Sequence, residues 1–204
     1  MMSLEAKNIT FSYNKKRQIL KDVSLSLNSN QIIGLMGDSG SGKSTLCKIL
    51  SGYIDNYSGE VTLDGKKIPD KDFYPVQLIF QHPEKTMNPK WKMEKVLNES
   101  WNPPQDLKDT FGLKDQWLTR WPSELSGGEL QRFSILRALN PKTKFIIADE
   151  ISTMLDAVTQ VQIWEKLITY AKANNIGILA VSHDHELLEV ICDDILLFEE
   201  INNL

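Results

Sequence analysis

Two hydrophobic rhythms run along the chain. Over residues 4–11 and 22–28 apolar and polar positions alternate, as in Val23-Ser24-Leu25-Ser26-Leu27. Successive side chains of a strand point to opposite faces, so a period of two predicts a pair of half-buried antiparallel strands. The basic stretch Asn14-Lys15-Lys16-Arg17 reads as the turn between them. Gln31 to Met36 reads differently, as a short apolar run suited to a strand buried on both faces. Phe145 to Ala148, Ile176 to Val181 and Ile195 to Phe198 share that character.

Between these runs the period lengthens. A helix is predicted from about Lys43 to Leu50, and residues 59–68 form a strand with a turn at Asp64-Gly65. Tyr74 to Phe80 is a further strand. From Pro83 to about Pro122 the chain is polar and rich in Trp and Pro, with short helical patterns at 93–100, 105–111 and 114–118. After Ser126 helices and strands alternate: helix 127–139, strand 144–149, helix 156–174, strand 176–181, helix 184–191 and strand 194–198. Helices alternating with short buried strands predict an α/β fold with a mainly parallel sheet.

The 204 residues suffice for one sizeable α/β core with a small subdomain. A formal net charge of -4 argues against nonspecific nucleic-acid binding, which needs a basic face. Cys47 and Cys192 have neither metal-ligand spacing nor a disulfide framework, and are read as two reduced core cysteines. The N-terminus is polar and has no apolar signal region. No segment approaches the ~20 apolar residues that span a bilayer. Work at a membrane would need another chain to hold this one there.

The chemistry begins at Gly37-Asp38-Ser39-Gly40-Ser41-Gly42-Lys43-Ser44-Thr45. It contains G-x-x-x-x-G-K-[ST], a loop whose backbone N–H groups cradle phosphates ahead of a helix N-terminus. Lys43 supplies a positive charge to the β- and γ-phosphates, and the Ser44 hydroxyl suits Mg²⁺. The expected ligand is therefore ATP with Mg²⁺. A second acidic element follows about a hundred residues later, where Phe145-Ile146-Ile147-Ala148 runs into Asp149-Glu150. A buried strand places these carboxylates at the edge of the sheet where ligands of α/β folds bind. Asp149 suits the Mg²⁺ shell, partly through water, and Glu150 suits orienting or deprotonating an attacking water.

At Leu125-Ser126-Gly127-Gly128-Glu129-Leu130-Gln131-Arg132 the chain resembles the signature of the ABC-type ATPases, the nucleotide-binding subunits of ABC transporters. Read from its residues alone, this segment is a helix start with a capping serine and an early glutamate. The resemblance implies that Ser126, Gly127 and Gly128 cover the γ-phosphate of ATP bound to another subunit, so that a dimer is needed. It also implies that Tyr13 stacks on adenine, that Gln81 reaches Mg²⁺ and the attacking water, and that Leu155-Asp156 communicates across the dimer. His183 in Val181-Ser182-His183-Asp184 resembles the switch histidine that contacts the γ-phosphate. His82 and His185 match nothing in the pattern.

The resemblance runs from about residue 4 to 198 and implies one domain over 1–204. Its fold would be a P-loop NTPase of ABC type. A catalytic core with an N-terminal antiparallel β subdomain would occupy 1–81 and 126–204, and a helical insertion about 82–125. Gln81-His82-Pro83-Glu84-Lys85-Thr86-Met87-Asn88-Pro89 is similar to a stretch of the oligopeptide and nickel importers. Implied partners are a second ATPase subunit, of the same or a different chain, two transmembrane permease subunits and an extracellular substrate-binding protein. Nucleic acid is not expected. The implied location is the cytoplasmic face of the membrane, and peptides, nickel, cobalt or a metal chelate are the candidate cargoes.

Ile151 departs from the family, which usually has proline there, and a small effect is expected because that proline does no chemistry. The chain also stops at Leu204, without the C-terminal extension common in this subgroup, so regulation through such a tail is not expected. Two other readings are a soluble ABC-type ATPase acting on nucleic acid or ribosomes and a non-hydrolysing ATP-binding partner. The first usually carries coiled-coil insertions or paired cassettes, and this chain has no heptads and no second phosphate loop. The second would be marked by loss of Glu150 or of the signature, and both are present.

Overall fold

The computed structural model describes residues 2–14, 17–69, 73–153 and 155–204. Met1 and two residues of the expected basic turn, Lys15 and Lys16, lie outside the described residues. The alternating segments form β1 (Ser3–Asn14) and β2 (Arg17–Asn28), which pair antiparallel with Leu4 opposite Leu27 and Ala6 opposite Leu25. One face of this ribbon, including Leu4, Ala6, Ile9, Leu20, Val23 and Leu27, is buried. After β3 (Ile32–Met36) and α1 (Lys43–Leu50), β4 (Ser58–Leu63) adds to the other side of β1. Asp64 and Gly65, with φ of 50° and 69°, turn the chain into β5 (Lys66–Lys67). Two successive residues with positive φ match the turn expected of an Asp-Gly pair.

The continuous apolar runs form the second sheet. Its order is β6 (Val76–Ile79), β7 (Phe145–Asp149), β8 (Gly177–Val181), β3 and β9 (Asp194–Leu197), with every pair parallel. Alternate residues of each strand enter different cores. Phe145, Ile147, Leu179, Val181, Ile33 and Leu35 face the antiparallel sheet and α1. Ile146, Ala148, Ile178, Ala180 and Ile32 face the helical side. That side contains α5 (Gly127–Ala138), α6 (Ala157–Ala173) and α7 (His185–Ile191), together with the short helices α2 (Met93–Leu97), α3 (Gln105–Thr110) and α4 (Asp115–Leu118). Burial on both faces is why these strands show no polar alternation.

The short helices between β6 and α5 bury Met93, Val96, Leu97, Phe111 and Trp117 in the same core as Leu130 and Phe133 of α5. Arg132 adds a tether, donating to the Phe111 carbonyl at 2.6 Å. Ile151 is buried in this helical-side core.

Two expectations need correction. Phe198 was expected to end the last strand, but it opens the one-turn helix α8 (Phe198–Ile201). Its ring is buried against the antiparallel sheet, and Asn202 bonds to β2, so the chain leaves the sheet edge early. Cys47 is a core cysteine as expected, but Cys192 is only half-buried. Both are free thiols, and burial pushes the Cys192 thiol up to about 12 and that of Cys47 upward. Neither is a thiolate near neutral pH.

Gly177, at the start of β8, is packed between the end of β2 and the Phe145 ring of β7. A Cβ there would stand 2.6 Å from the Asn28 carbonyl oxygen and 2.7 Å from the Phe145 ring. Gly177→Ala should therefore lower stability by about 1–3 kcal/mol through overpacking. Urea unfolding measures this, and an unchanged midpoint would mean that the sheets can separate there without strain.

Candidate nucleotide site

Three neighbouring strands of the parallel sheet end together, and each delivers one polar side chain to the same place. Ile79, Ala148 and Ala180 are in register across β6, β7 and β8. Just beyond them stand Gln81, Glu150 and His183. Gln81 Nε2 donates to Glu150 Oε2 at 2.8 Å, and His183 Nδ1 lies 3.4 Å from Glu150 Oε1. The Gln81 amide thus holds one carboxylate oxygen, and the exposed His183 ring stands beside the other. The Glu150 backbone has φ 49°, a left-handed conformation unusual outside glycine, and its N–H donates to the Val181 carbonyl at 2.9 Å. Strain of this kind persists where surrounding structure enforces it, and it concentrates at functional sites.

On the other side of β8, β3 runs into Gly37 and the chain curls through Asp38, Ser39, Gly40 and Ser41 to Gly42, which opens α1. Gly42 has φ 121°, and a Cβ there would stand 3.1 Å from both the Ile19 carbonyl oxygen and Ile19 Cγ2, so glycine is required twice over. Lys43 is buried, and its ammonium donates to the carbonyls of Gly37 and Asp38, each at 2.6 Å. This keeps a full positive charge inside the curl of the loop. Ser41 Oγ is buried without a hydrogen-bond partner among the described residues. An orphaned hydroxyl is unfavourable unless a ligand completes it, and a phosphate oxygen would do so.

Asp149, at the end of β7, is buried next to Ser44. Burial raises its carboxyl above the usual range and the neighbouring Glu150 charge adds to this, while the Ser44 hydroxyl and the ammonium groups of Lys43 and Lys48 pull the other way. Ser44, Lys48, Phe80, Gln81 and Asp149 line a cleft of about 520 Å³. Hydroxyl, carboxylate and amide oxygens form the hard donor set that Mg²⁺ prefers when phosphates complete its shell. Beside Thr45 stands Tyr13, with its hydroxyl 3.3 Å from Thr45 Oγ1. The Tyr13 ring packs edge-on against Phe11 with centroids 4.8 Å apart and is 61% exposed, which leaves a face free for stacking.

Ser126, Gly127, Gly128 and Asp156 stand elsewhere. Ser126 caps α5 by accepting from the Glu129 N–H at 3.3 Å, while the Glu129 carboxylate accepts from the Ser126 N–H at 2.8 Å. Gly128 is pressed against Leu155, whose Cδ2 would lie 2.9 Å from a Cβ. Asp156 caps α6, accepting from the Thr159 N–H at 3.0 Å and the Thr159 hydroxyl at 2.7 Å, and these bonds hold its carboxyl below the usual range. These residues border a second cleft of about 540 Å³ that includes no phosphate-loop residue. Within one chain the two halves of the expected site are apart.

Gln131, within the Leu125–Arg132 segment, carries no role that the sequence pattern implies. It is buried on α5, with its amide 3.5 Å from the Phe80 carbonyl, immediately before Gln81. Arg137 on the same helix reaches the Thr86 carbonyl at 3.5 Å and pairs with Glu99. The helix that starts at Ser126 is thus attached to the segment carrying Gln81. Helical spacing could have placed Gln131 on the buried face of α5, but its partner was outside local reach.

Comparison with known proteins identifies the family of this fold. The ABC transporter family model matches residues 20–153. The nickel import system ATP-binding protein NikE of Staphylococcus aureus is 33% identical, the match covering 97% of this chain and 87% of that protein. A dimeric bacterial ABC transporter cassette superposes with a TM-score of 0.80 at 25% identity, over 95% of this chain and 93% of the other. A dimeric post-hydrolysis cassette bound to ADP and Pi has the same fold, with a TM-score of 0.80 at 24% identity, covering 95% and 93%. With the signature, the phosphate loop and the sheet order all in place, the chain belongs to the ABC transporter family, as one of its ATP-binding, ATP-hydrolysing domains.

Proposed function

We propose that this chain hydrolyses ATP with Mg²⁺ to drive an importer of nickel ions or a nickel chelate. The observation that carries the chemistry is the convergence of Gln81, Glu150 and His183 beside the phosphate loop. The cargo reading is supported by the nickel-import relatives, which match over 97% of this chain. A peptide cargo is the second reading, favoured by the Gln81 to Pro89 stretch that resembles oligopeptide importers.

In this mechanism the N–H groups of residues 37–45 and the N-terminal end of α1 receive the phosphates. Lys43 binds the β- and γ-phosphates, and Tyr13 stacks on adenine. Ser44, Gln81 and Asp149 would hold Mg²⁺, partly through water, and when bound the ion neutralises phosphate charge. Glu150, aligned by Gln81 and His183, orients the attacking water and takes its proton. His183 also contacts the γ-phosphate. Lys43 and the backbone N–H groups stabilise the charge that develops in the transition state.

The Ser126–Gly128 helix start of a second ATPase subunit closes over the γ-phosphate, with Asp156 at the junction. The separation of the two clefts within one chain supports this head-to-tail dimer of like or unlike chains. Two permease subunits would hold the dimer at the cytoplasmic face of the membrane, and an extracellular binding protein would deliver the cargo. Among the described residues no helix is long and apolar enough to cross a membrane, which fits attachment through such partners.

Three outcomes are expected. Glu150→Gln should lower kcat about 10²- to 10⁴-fold while ATP still binds. Turnover within tenfold of wild type would remove the general-base role. Asp149→Asn should abolish Mg²⁺-dependent turnover yet raise the melting temperature of the nucleotide-free chain at pH 7. The sign follows from the raised carboxyl: folding holds the Asp149 proton more tightly than the unfolded chain does, so the ionised group penalises the fold above its folded pKa. The gain should shrink as pH falls through that pKa, and a lower melting temperature at pH 7 would contradict it. In cells lacking this chain, uptake of radioactive nickel should fall several-fold and recover with the wild type but not with Glu150→Gln. Normal nickel uptake with impaired peptide use would favour the peptide reading.

A further inference from the structure

We propose that Glu199 is a positioning residue for the phosphate loop, holding its entrance from outside the sheet, while Asn202 fixes the strand that backs the loop's far end. The inference rests on the reading of residues 37–45 as an ATP site. Neither residue belongs to a recognised motif, and both follow the point where the chain leaves β9.

The peptide plane between Gly37 and Asp38 is gripped from two directions. Its carbonyl accepts from Lys43 Nζ at 2.6 Å. Its N–H, that of Asp38, donates to Glu199 Oε1 at 3.0 Å. Two bonds on opposite edges of one peptide set its orientation, and with it the direction in which the loop enters its curl. The fit is close: a Cβ on Gly37 would lie 2.8 and 3.1 Å from the two Glu199 carboxylate oxygens and 2.9 Å from Phe198 Cβ. Buried Phe198 anchors the carboxylate's position from the adjacent residue. The Glu199 carboxyl is held below the usual range, chiefly by the Asp38 N–H and then by its own N–H, with help from the Lys43 charge. It is therefore ionised, and both of its oxygens are acceptors.

Asn202 acts at the other end of the loop. It is buried, accepts from the Lys21 N–H through Oδ1 at 2.9 Å, and donates from Nδ2 to the Ile19 carbonyl at 3.2 Å. That Ile19 carbonyl is the wall against which Gly42 is packed. One short segment thus braces the start of the phosphate loop through Glu199 and the end of it through Asn202.

The brace matters most once ATP binds. In the proposed mechanism Lys43 binds the phosphates, which compete with the Gly37 carbonyl for its ammonium donors. Glu199 is then the side chain that keeps this peptide in place. Because Glu199 is exposed, the expected effect is several-fold and not a complete loss.

The test uses the full purified chain with a fluorescent ATP analogue, displacement by ATP, and steady-state turnover. Glu199→Ala should raise both Kd and KM for ATP about three- to tenfold, with kcat falling less than KM rises. Glu199→Gln keeps an acceptor oxygen at the same reach and should restore Kd to about twofold of wild type. Glu199→Asp keeps the charge but withdraws it by one methylene, so it should resemble the alanine variant. If Glu199→Ala fails to fold, the glutamine and aspartate variants decide the matter by their order. Unchanged Kd in Glu199→Ala overturns the proposal. So does the reverse order, with aspartate normal and glutamine impaired, because charge and not the hydrogen bond would then be responsible. A wild-type chain that does not bind the analogue would instead sink the nucleotide-site reading itself, and this inference with it.

Discussion

Burial of the five-stranded parallel sheet on both faces is the constraint on which the rest of the structure depends. Its strands carry side chains such as Ile146 and Ile147, or Ile178 and Leu179, into two different cores. A slip of one residue would exchange the two faces, and since both are closely packed the register is strongly specified. Locked register means that the strands end at fixed heights relative to one another. Gln81, Glu150 and His183 gain their mutual distances from this alone, since they lie far apart in the chain and share no local element.

The same edge concentrates unfavourable groups. Asp149 and Lys43 are charged side chains taken largely out of water, the Ser41 hydroxyl is unpaired among the described residues, and Glu150 holds a left-handed backbone. None of these helps the chain fold. They are tolerated because the cores on either side supply the stability, and a site built to receive phosphate charge is poorly satisfied by protein groups alone. The raised Asp149 carboxyl is the clearest sign of this. Stability and activity pull in opposite directions at that residue.

The signature helix shows how distant parts are joined. Its capped start faces a cleft that lacks the phosphate loop, while Gln131 and Arg137 on the same helix reach the segment around Gln81. Through these contacts α5 touches the segment that carries Gln81, the partner of Glu150. Asp156, which caps α6, and Leu155, which packs on Gly128, place the following helix against the same start.

Much of this was legible in the residues themselves. Alternation in β1 and β2, unbroken apolar runs in β3, β7 and β8, the Asp64-Gly65 turn and the phosphate loop are local signals, set by side-chain period and backbone preference within a few residues. The sequence also determined which residue types could bind phosphate and Mg²⁺. Only the tertiary structure decided which of them meet. It brought Gln81 and His183 to the two oxygens of Glu150, left Ser126 and Asp156 in another cleft, and placed Cys192 half-buried at the edge of the core. It also turned Phe198 out of the last strand, and so set Glu199 against the phosphate loop. No local pattern could announce these outcomes, because each depends on groups separated by tens of residues whose distance is settled only when two cores close around one sheet.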